Sequence, residues 1–239
     1  VSTVEPGCGK VIFSLGLVEL ALRQTSRVGF FRPVIQTPEA GKRDEDIDLI
    51  LRYFGLPQAY EDTYAWHLHE VQERLGSHDE DEVIERIIER YKALESRCDF
   101  VLIEGTDFLS HLSALEFDLN ALVARNLSAP VLLVGNAHGR TSRESVDAIH
   151  ISVDAHEEKN CPVIGVVLNK AEPSQLDEIR AALVQEFGGS GKLVGVFPFD
   201  RLLEAPSVRE VAEQLGAKIL FGRERMDCLV GSYLVGAMH

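Results

Sequence analysis

A glycine-rich segment close to the start of the chain has the residue types of a phosphate-binding loop. Residues 3–11 read TVEPGCGKV and stand directly before a helical pattern. Gly7 and Gly9 allow backbone N–H groups to turn inward around an anion, and Lys10 can reach the outer phosphates of a nucleotide. We therefore predict that ATP, another nucleotide or a small anion binds at Gly7, Cys8, Gly9, Lys10 and Val11.

The same segment departs from the standard phosphate-binding motif, so its Walker A sequence is degenerate. A Ser or Thr normally follows the lysine and ligates Mg²⁺ through its hydroxyl group, whereas Val11 follows Lys10 here. We expect phosphate binding with a weakened hold on Mg²⁺, and we predict no catalytic residue. The alternative interpretation is that the glycines serve tight packing at a helix start and that Lys10 is solvated.

Polar residues follow several predicted strands, where ligands bind in open α/β sheets. Arg32 could bind a phosphate or carboxylate, although it could equally be a surface arginine that is fixed by Pro33. Glu104 ends a buried strand, where an acid is costly without a partner and is suited to hold Mg²⁺. Asn169 offers a donor and an acceptor to a purine edge, and the rigid turn at Pro198 could form one wall of a base pocket.

Short apolar runs that are rich in β-branched residues alternate with amphipathic stretches and would position these side chains. The runs lack polar alternation, which is typical of parallel strands buried on both faces. We predict strands at 28–31, 100–103, 131–134, 163–168 and 193–197, after a first strand that ends near Thr3. The pattern indicates an α/β fold, a doubly wound and mostly parallel sheet flanked by helices, with the P-loop NTPase-like arrangement.

Three helix starts carry the sequence signature of a capping box: Ser77 with Glu80, Thr141 with Glu144, and Ser207 with Glu210. Residues 37–75 contain no clear strand and are predicted to be an insertion with one or two helices. Within it, His67 and His69 are interpreted as surface residues, because a third metal ligand is not evident nearby. Both ends of the sequence look cut, so we predict a domain at 1–222 and the start of a following domain or linker at 223–239.

Composition narrows the classes of partner. The 239 residues carry a formal net charge of −14, which argues against binding to nucleic acid or to an anionic membrane. The four cysteines are far apart and form no C-x-x-C pair. This spacing predicts a reduced, cytoplasmic protein without a zinc site.

Together these motifs resemble the dethiobiotin synthetase-like P-loop family, which also includes cobyrinate amidase-type domains. The resemblance lies in EPGCGK at 5–10, FRPV at 31–34, residues 43–46, IEG at 103–105, VLNK at 167–170 and VFP at 196–198. It implies that Gly7, Gly9 and Lys10 hold phosphates. It also implies that Asp46 and Glu104 are Mg²⁺ carboxylates, that Arg32 stands where the family has a substrate-binding Lys, and that Asn169 reads adenine.

One branch of that family is a closer match. The stretches EPGCGK at 5–10, VGFFRPV at 28–34 and APSVREVA at 205–212 are similar to the N-terminal domain of long bacterial phosphate acetyltransferases. This resemblance implies a regulatory domain in a homo-oligomer, joined to a C-terminal acetyltransferase domain that carries out the acyl transfer. The chain itself would have little catalytic activity.

Three functions follow from these observations. The first is a nucleotide- or anion-binding regulatory module of a phosphate acetyltransferase. The second is an ATP-dependent ligase of the dethiobiotin synthetase or cobyrinate amidase type, which Val11 argues against because the Mg²⁺ hydroxyl is missing. The third is a structural remnant that mediates oligomer contacts. Calorimetry with nucleotides, with and without Mg²⁺, would separate them.

Overall fold

Parallel strands form the centre of the first unit of the chain. The structure is a computed structural model that describes residues 1–36, 43–76, 79–106 and 113–233. It divides into the units Val1–Phe197 and Pro198–His239. The strands are β1 (Ser2–Thr3), β2 (Val28–Phe31), β3 (Val34–Ile35), β4 (Trp66–His67), β5 (Phe100–Ile103), β6 (Val131–Asn136), β7 (Val163–Ala171) and β8 (Leu193–Pro198).

The strand order places β1 inside the sheet. One set runs β1-β6-β7-β8, and β2 lies beside β5 and β3 beside β4. The pairs β1–β6, β6–β7, β2–β5 and β3–β4 are parallel. Val1 donates to the carbonyl of Ile103 (2.7 Å) and accepts from the N–H of Gly105 (2.8 Å), which is the bonding pattern of parallel neighbours. The carboxyl ends of β5, β1 and β6 therefore meet at one edge of the sheet.

Helices cover both faces of this sheet. They are α1 (Lys10–Leu22), α2 (Glu45–Phe54), α3 (Leu68–Gly76), α4 (Glu80–Glu95), α5 (Ser113–Asn126), α6 (Ser142–Glu158) and α7 (Leu176–Phe187). The second unit contains α8 (Val208–Gln214). Consecutive strand residues point to opposite faces. Phe30 packs in a core cluster with Val18 of α1 and Ile47 of α2, whereas Phe31 packs with Ile87 of α4. The predicted doubly wound α/β architecture is confirmed.

A third apolar cluster joins the other half of the sheet to α6 and α7. Ile149 of α6 and Ile179 and Leu183 of α7 are fully buried against Leu133 and Leu168 of the neighbouring strands β6 and β7. Complete burial of such a side chain stabilises the fold by about 1.5–3 kcal/mol relative to leaving it exposed. This packing fixes the half of the sheet that carries Asn169.

Two predictions about the middle of the chain are wrong. Residues 37–75 contain the strand β4, which pairs in parallel with β3, in addition to the expected helices α2 and α3. A two-residue strand shows no alternation that a sequence pattern could reveal. Helix α4 has Asp79 as its N-cap, and no side-chain capping bond is found there among the described residues. The predicted capping residue Ser77 lies outside them.

The unit Pro198–His239 is held together by bonds across residue 222. Helix α8 starts at the predicted capping box of Ser207 and Glu210, which is confirmed. Ser207 forms an isolated antiparallel bridge with Leu229, and the N–H of Arg209 donates to the carbonyl of Met226 (2.8 Å). Residues before and after 222 thus stabilise each other, and the division into 1–222 and 223–239 stays a prediction.

Across the described ranges, no helix combines the length and apolar character that a membrane crossing requires. The four cysteines, all within the described residues, are not joined in disulfides. Burial raises the pKa of the Cys161 thiol, which keeps it protonated and unreactive at neutral pH.

Candidate functional site

The loop between β1 and α1 adopts a conformation that its glycines make possible. Gly7 has φ of 76° and Gly9 has φ of 81°, both in the left-handed region. Gly9 is also the N-cap of α1. A Cβ atom at Gly9 would lie 2.6 Å from Nδ2 of Asn169, whereas one at Gly7 would meet nothing within 4 Å. The second glycine is therefore required by close contact as well as by backbone conformation.

The N-terminus of α1 has neither a capping side chain nor a carboxylate in its first turn, and we call such a helix start open. Its N-cap residue makes no side-chain hydrogen bond, and its first turn contains no acidic residue. In each of the other seven described α-helices, the first turn contains at least one Asp or Glu. The first N–H groups of a helix, which have no partner within the helix, and the positive end of the helix dipole favour a negative charge at such a position.

Lys10, the first residue of α1, is 4% exposed and reaches across to the end of β5. Its Nζ donates to the carbonyl oxygen of Gly105 and lies 4.0 Å from Oε1 of Glu104. The lysine that was predicted to bind phosphate thus lies beside the predicted metal carboxylate. The alternative interpretation of a solvated lysine is wrong.

Glu104 is completely buried at the carboxyl end of β5. The hydroxyl of Ser14 donates to its Oε2. Oε1 has no hydrogen-bond partner among the described residues, although two cationic groups lie within 4.0 Å. Burial raises the pKa of Glu104 above its ordinary value, and the charges of Lys10 and Arg32 oppose part of that rise.

Arg32, directly after β2, joins three carboxylates. Its Nη1 donates to both oxygens of Asp44 (2.8 and 2.9 Å) and to Oδ2 of Asp46 (3.0 Å). Its Nε lies 3.6 Å from Oε1 of Glu104. The Arg32 side chain is 11% exposed, so the alternative of a surface arginine is wrong.

The contacts of Arg32 argue against the predicted Mg²⁺ site. Asp46 and Glu104 do converge, yet the group between them is the guanidinium of Arg32. A Mg²⁺ ion needs oxygen ligands in nearly octahedral geometry, and Val11 supplies no hydroxyl. In this arrangement the residues do not fit the ion, because a fixed cation already occupies the space between its expected ligands.

Asn169 supports the loop from β7. Its Nδ2 donates to the carbonyl of Cys8 (2.9 Å), and its side chain is buried. The Sγ of Cys8 in turn donates to the carbonyl of Glu5 (2.9 Å). One amide proton of Asn169 is therefore committed to the loop, and the reading of adenine by this residue stays a prediction.

Three other residues named from the sequence, Pro198, His67 and His69, lie in different surroundings. Pro198 ends β8 and begins the second unit, and its predicted role in a base pocket stays a prediction. His69 is exposed as expected, but His67 ends β4 and is half-buried. Among the described residues, no group of three His, Cys, Asp or Glu side chains could hold a metal ion.

Several residues of the site were missed by the sequence analysis. Ser14 lies four residues after Lys10, and that spacing places both side chains on one face of a helix, so it could have been found. Asp44 stands where an acid is favoured at a helix start, and it accepts from the N–H of Ile47 (3.1 Å), but it also binds Arg32. The ion pair of Arg140 with Glu5 (2.7 Å) carried no signal in the sequence.

Comparisons with known proteins agree with this geometry. A family model described as AAA domain matches residues 1–207. The phosphate acetyltransferases of Synechocystis sp. and Nitratidesulfovibrio vulgaris are each 39% identical over 100% of this chain and 34% of their own length. That of Pseudomonas putida is 30% identical over 90% of the chain and 31% of its own length. The chain spans about a third of the length of these curated relatives, and the predicted resemblance to the P-loop domain of phosphate acetyltransferases is confirmed.

Proposed function

The chain belongs to the AAA domain family, and from that premise we propose that it is a nucleotide- or anion-binding regulatory module with little or no catalysis of its own. The ligand would lie against the loop at Gly7–Lys10. Because the similar proteins are phosphate acetyltransferases, we further propose that the module acts on an acetyltransferase domain in the same longer chain, within a homo-oligomer.

The observation that carries this proposal is the open N-terminus of α1. The other seven α-helices of the described residues have an acidic residue in the first turn, whereas α1 begins with Lys10 after the left-handed Gly9 and has no carboxylate there. A phosphate group placed at this end would accept from backbone N–H groups and meet the charge of Lys10. The arrangement suits a polyphosphate or a nucleotide better than a neutral ligand.

Two features support a binding role over a ligase reaction. Val11 replaces the hydroxyl that holds Mg²⁺ in phosphoryl-transfer enzymes, and Arg32 lies between the two candidate metal carboxylates. Phosphoryl transfer depends on metal ions that neutralise the developing charge. Without that charge, bound ATP would persist as a ligand and would not be consumed.

A second candidate, a structural remnant, is favoured by the contacts that the loop makes with its own chain. Lys10 donates to the carbonyl of Gly105, and Asn169 donates to the carbonyl of Cys8. If these bonds cannot exchange for bonds to a ligand, the loop only holds β1, β5 and β7 together. A binding measurement distinguishes the two candidates directly.

The test is isothermal titration calorimetry with ATP, ADP and inorganic phosphate, in EDTA and in Mg²⁺. We compare the wild type with Lys10→Met and with the control Lys159→Met. Lys159 pairs with Asp118 beyond the end of α6, at the opposite end of the strands. Because a charged hydrogen bond contributes about 1.5–3 kcal/mol, we expect Lys10→Met to weaken binding by at least about tenfold and Lys159→Met to leave it unchanged.

Each alternative has its own outcome in this experiment. Heat of ATP turnover that depends on Mg²⁺ would indicate the ligase and contradict the proposal. Silence toward all three compounds in a folded wild-type protein would leave the structural remnant. Equal loss of affinity in both lysine variants would mean that overall charge, and not the loop, binds the anion. Circular dichroism of each variant verifies that it is folded.

A further inference from the structure

We infer that the Arg32 guanidinium takes the place of a divalent metal ion in this site, so that anion binding at the loop does not require Mg²⁺. The part of this inference that concerns nucleotides rests on the proposed function. The part that concerns the metal can be tested on the protein without any nucleotide.

The first argument is the convergence of three carboxylates from two separate elements on one group. Asp44 and Asp46 lie at the start of α2, and Glu104 follows β5. A single nitrogen, Nη1 of Arg32, lies within 3.0 Å of three oxygens of Asp44 and Asp46. Acidic side chains gathered in this way around one buried point require a positive charge there, and Arg32 supplies it.

The second argument comes from Glu104, whose side chain is fully buried. Its Oε1 makes no hydrogen bond within the described part of the chain and faces Nε of Arg32 at 3.6 Å and Nζ of Lys10 at 4.0 Å. This oxygen is where a metal ion would be expected to bind. Two fixed cations already flank it, and a divalent ion at the same oxygen would be repelled by both.

The third argument is the shortage of oxygen ligands. Mg²⁺ requires near-octahedral oxygen coordination, and a hydroxyl after the loop lysine normally contributes to it. Val11 has none, and the nearest hydroxyl on the same helix, that of Ser14, donates to Oε2 of Glu104. Arginine cannot lose its proton in a protein, so its charge remains at any pH that the fold survives.

Together these observations define the kind of ligand. A guanidinium and an ammonium flank one carboxylate oxygen close to the open end of α1, and an anion that enters there would meet both charges by exchanging with the carboxylates that now face them. Such a pair suits two linked phosphate groups, as in ADP, ATP or pyrophosphate, because a guanidinium binds phosphate oxygens in pairs. Metal-free diphosphate or triphosphate is thus the expected bound form.

The metal arm of the test is a Mn²⁺ titration followed by the EPR signal of the free ion, with no nucleotide present. For the wild type and the control Arg27→Met we expect no saturable site up to about 1 mM Mn²⁺. Arg27 is an exposed arginine paired with Asp99 outside the site. We expect Arg32→Met, or Arg32→Gln if the first variant does not fold, to acquire a site at least about tenfold tighter, since the three carboxylates then lose the guanidinium between them.

Three results would overturn the inference. A saturable Mn²⁺ site in the wild type that Glu104→Gln abolishes would show that the carboxylates hold metal beside Arg32. A folded Arg32→Met protein that binds no more Mn²⁺ than the wild type would show that the guanidinium does not occupy a metal position. A gained site that persists in the Arg32→Met/Glu104→Gln double variant would place the ion elsewhere.

The nucleotide arm compares the affinity for ADP in EDTA and in Mg²⁺. We expect the wild-type affinities to agree within about twofold and Arg32→Met to bind at least about tenfold more weakly in EDTA, with part of the loss restored by Mg²⁺. Wild-type affinity that rises more than about tenfold with Mg²⁺ would overturn the inference and leave the proposed function intact. No binding in either buffer would overturn the proposed function, and the Mn²⁺ titration would then decide the inference alone.

Discussion

The loops that follow β1 and β6 lead to two helices, α1 and α6, whose N-termini differ in capping and in charge. The strands are parallel neighbours, so α1 and α6 both begin at the carboxyl edge of the sheet. At α6, Glu144 accepts from the N–H of Thr141 (2.9 Å), and the Thr141 hydroxyl accepts from the N–H of Glu144 (3.3 Å). At α1, Gly9 provides no side chain and the first turn carries no acid.

The contrast shows how one architecture yields both a closed and an open helix start. A capping box satisfies the N–H groups that a helix leaves unpaired and places a negative charge at the positive end of its dipole. It stabilises the helix but occupies the position that an anionic ligand would need. The uncapped α1 gives up that stabilisation, and its support comes instead from Asn169 below the loop.

The largest expected effect comes from placing a side chain at the open terminus. Gly9→Ala should lower the free energy of unfolding by about 2–4 kcal/mol, because it adds a left-handed alanine to a contact of 2.6 Å with Asn169. Gly7→Ala is the matched control, with the same backbone region and open space, and should cost only about 1–2 kcal/mol. Urea unfolding measures both. Equal losses in the two variants would mean that Asn169 does not constrain the loop.

The next effect is an opposite response to pH in the two regions. Burial raises the pKa of Glu104, so its contribution to stability is present below its ordinary value of 4.5 and is lost as the pH rises through the raised pKa. Bonds from the Thr141 backbone and hydroxyl lower the pKa of Glu144, so its contribution is present above 4.5 and is lost as the pH falls through the lowered pKa.

Urea unfolding of Glu104→Gln and Glu144→Gln between about pH 3 and pH 7 tests this contrast. Relative to the wild type, Glu104→Gln should remove a decline of stability with rising pH, and Glu144→Gln should remove an increase. If both variants changed the slope in the same direction, the difference in environment between the two carboxyl groups would be refuted.

The smallest change in stability is expected when the cap of α6 is removed and an acidic residue is added to the first turn of α1. Thr141→Ala opens α6 and should cost about 1 kcal/mol. Val11→Asp puts a carboxylate into the first turn of α1 and should add about 0.5 kcal/mol through the helix dipole. The same charge should abolish ATP binding in calorimetry, whereas Thr141→Ala should leave binding unchanged. Retained ATP affinity in a folded Val11→Asp protein would contradict an anion site at α1.

The sheet could be predicted from the sequence because its strands are long enough to show their composition. The apolar runs at β2, β5, β6 and β7 contain four to nine residues and lack polar alternation, although only β2 is buried along its whole length. β4 has two residues, Trp66 and His67, and its pairing with β3 depends on residues that are distant in the chain. The pairing of such a short strand cannot be predicted from amino-acid composition.

The sequence predicted several residues of the site but not the contacts that these residues make with one another. Lys10 was identified from the glycine-rich motif around it, and Arg32 and Glu104 were identified because they follow predicted buried strands. That Arg32 binds Asp44 and Asp46 depends on the angle at which α2 approaches β2. The bond from Asn169 to Cys8 spans 161 residues and follows from the register of β7. Neither the contacts of Arg32 nor the bond from Asn169 can be predicted from spacing along the chain.

The antiparallel bridge between Ser207 and Leu229 has a practical consequence for anyone who shortens the gene. A recombinant fragment that stopped at Gly222 would discard the carbonyl groups of Met226 and Cys228 that receive the first N–H groups of α8. It would also leave the half-buried Pro206 without its backbone partner Val230. Expression of such a fragment should give poorly soluble material, and a stop codon placed after residue 230 or later avoids this problem.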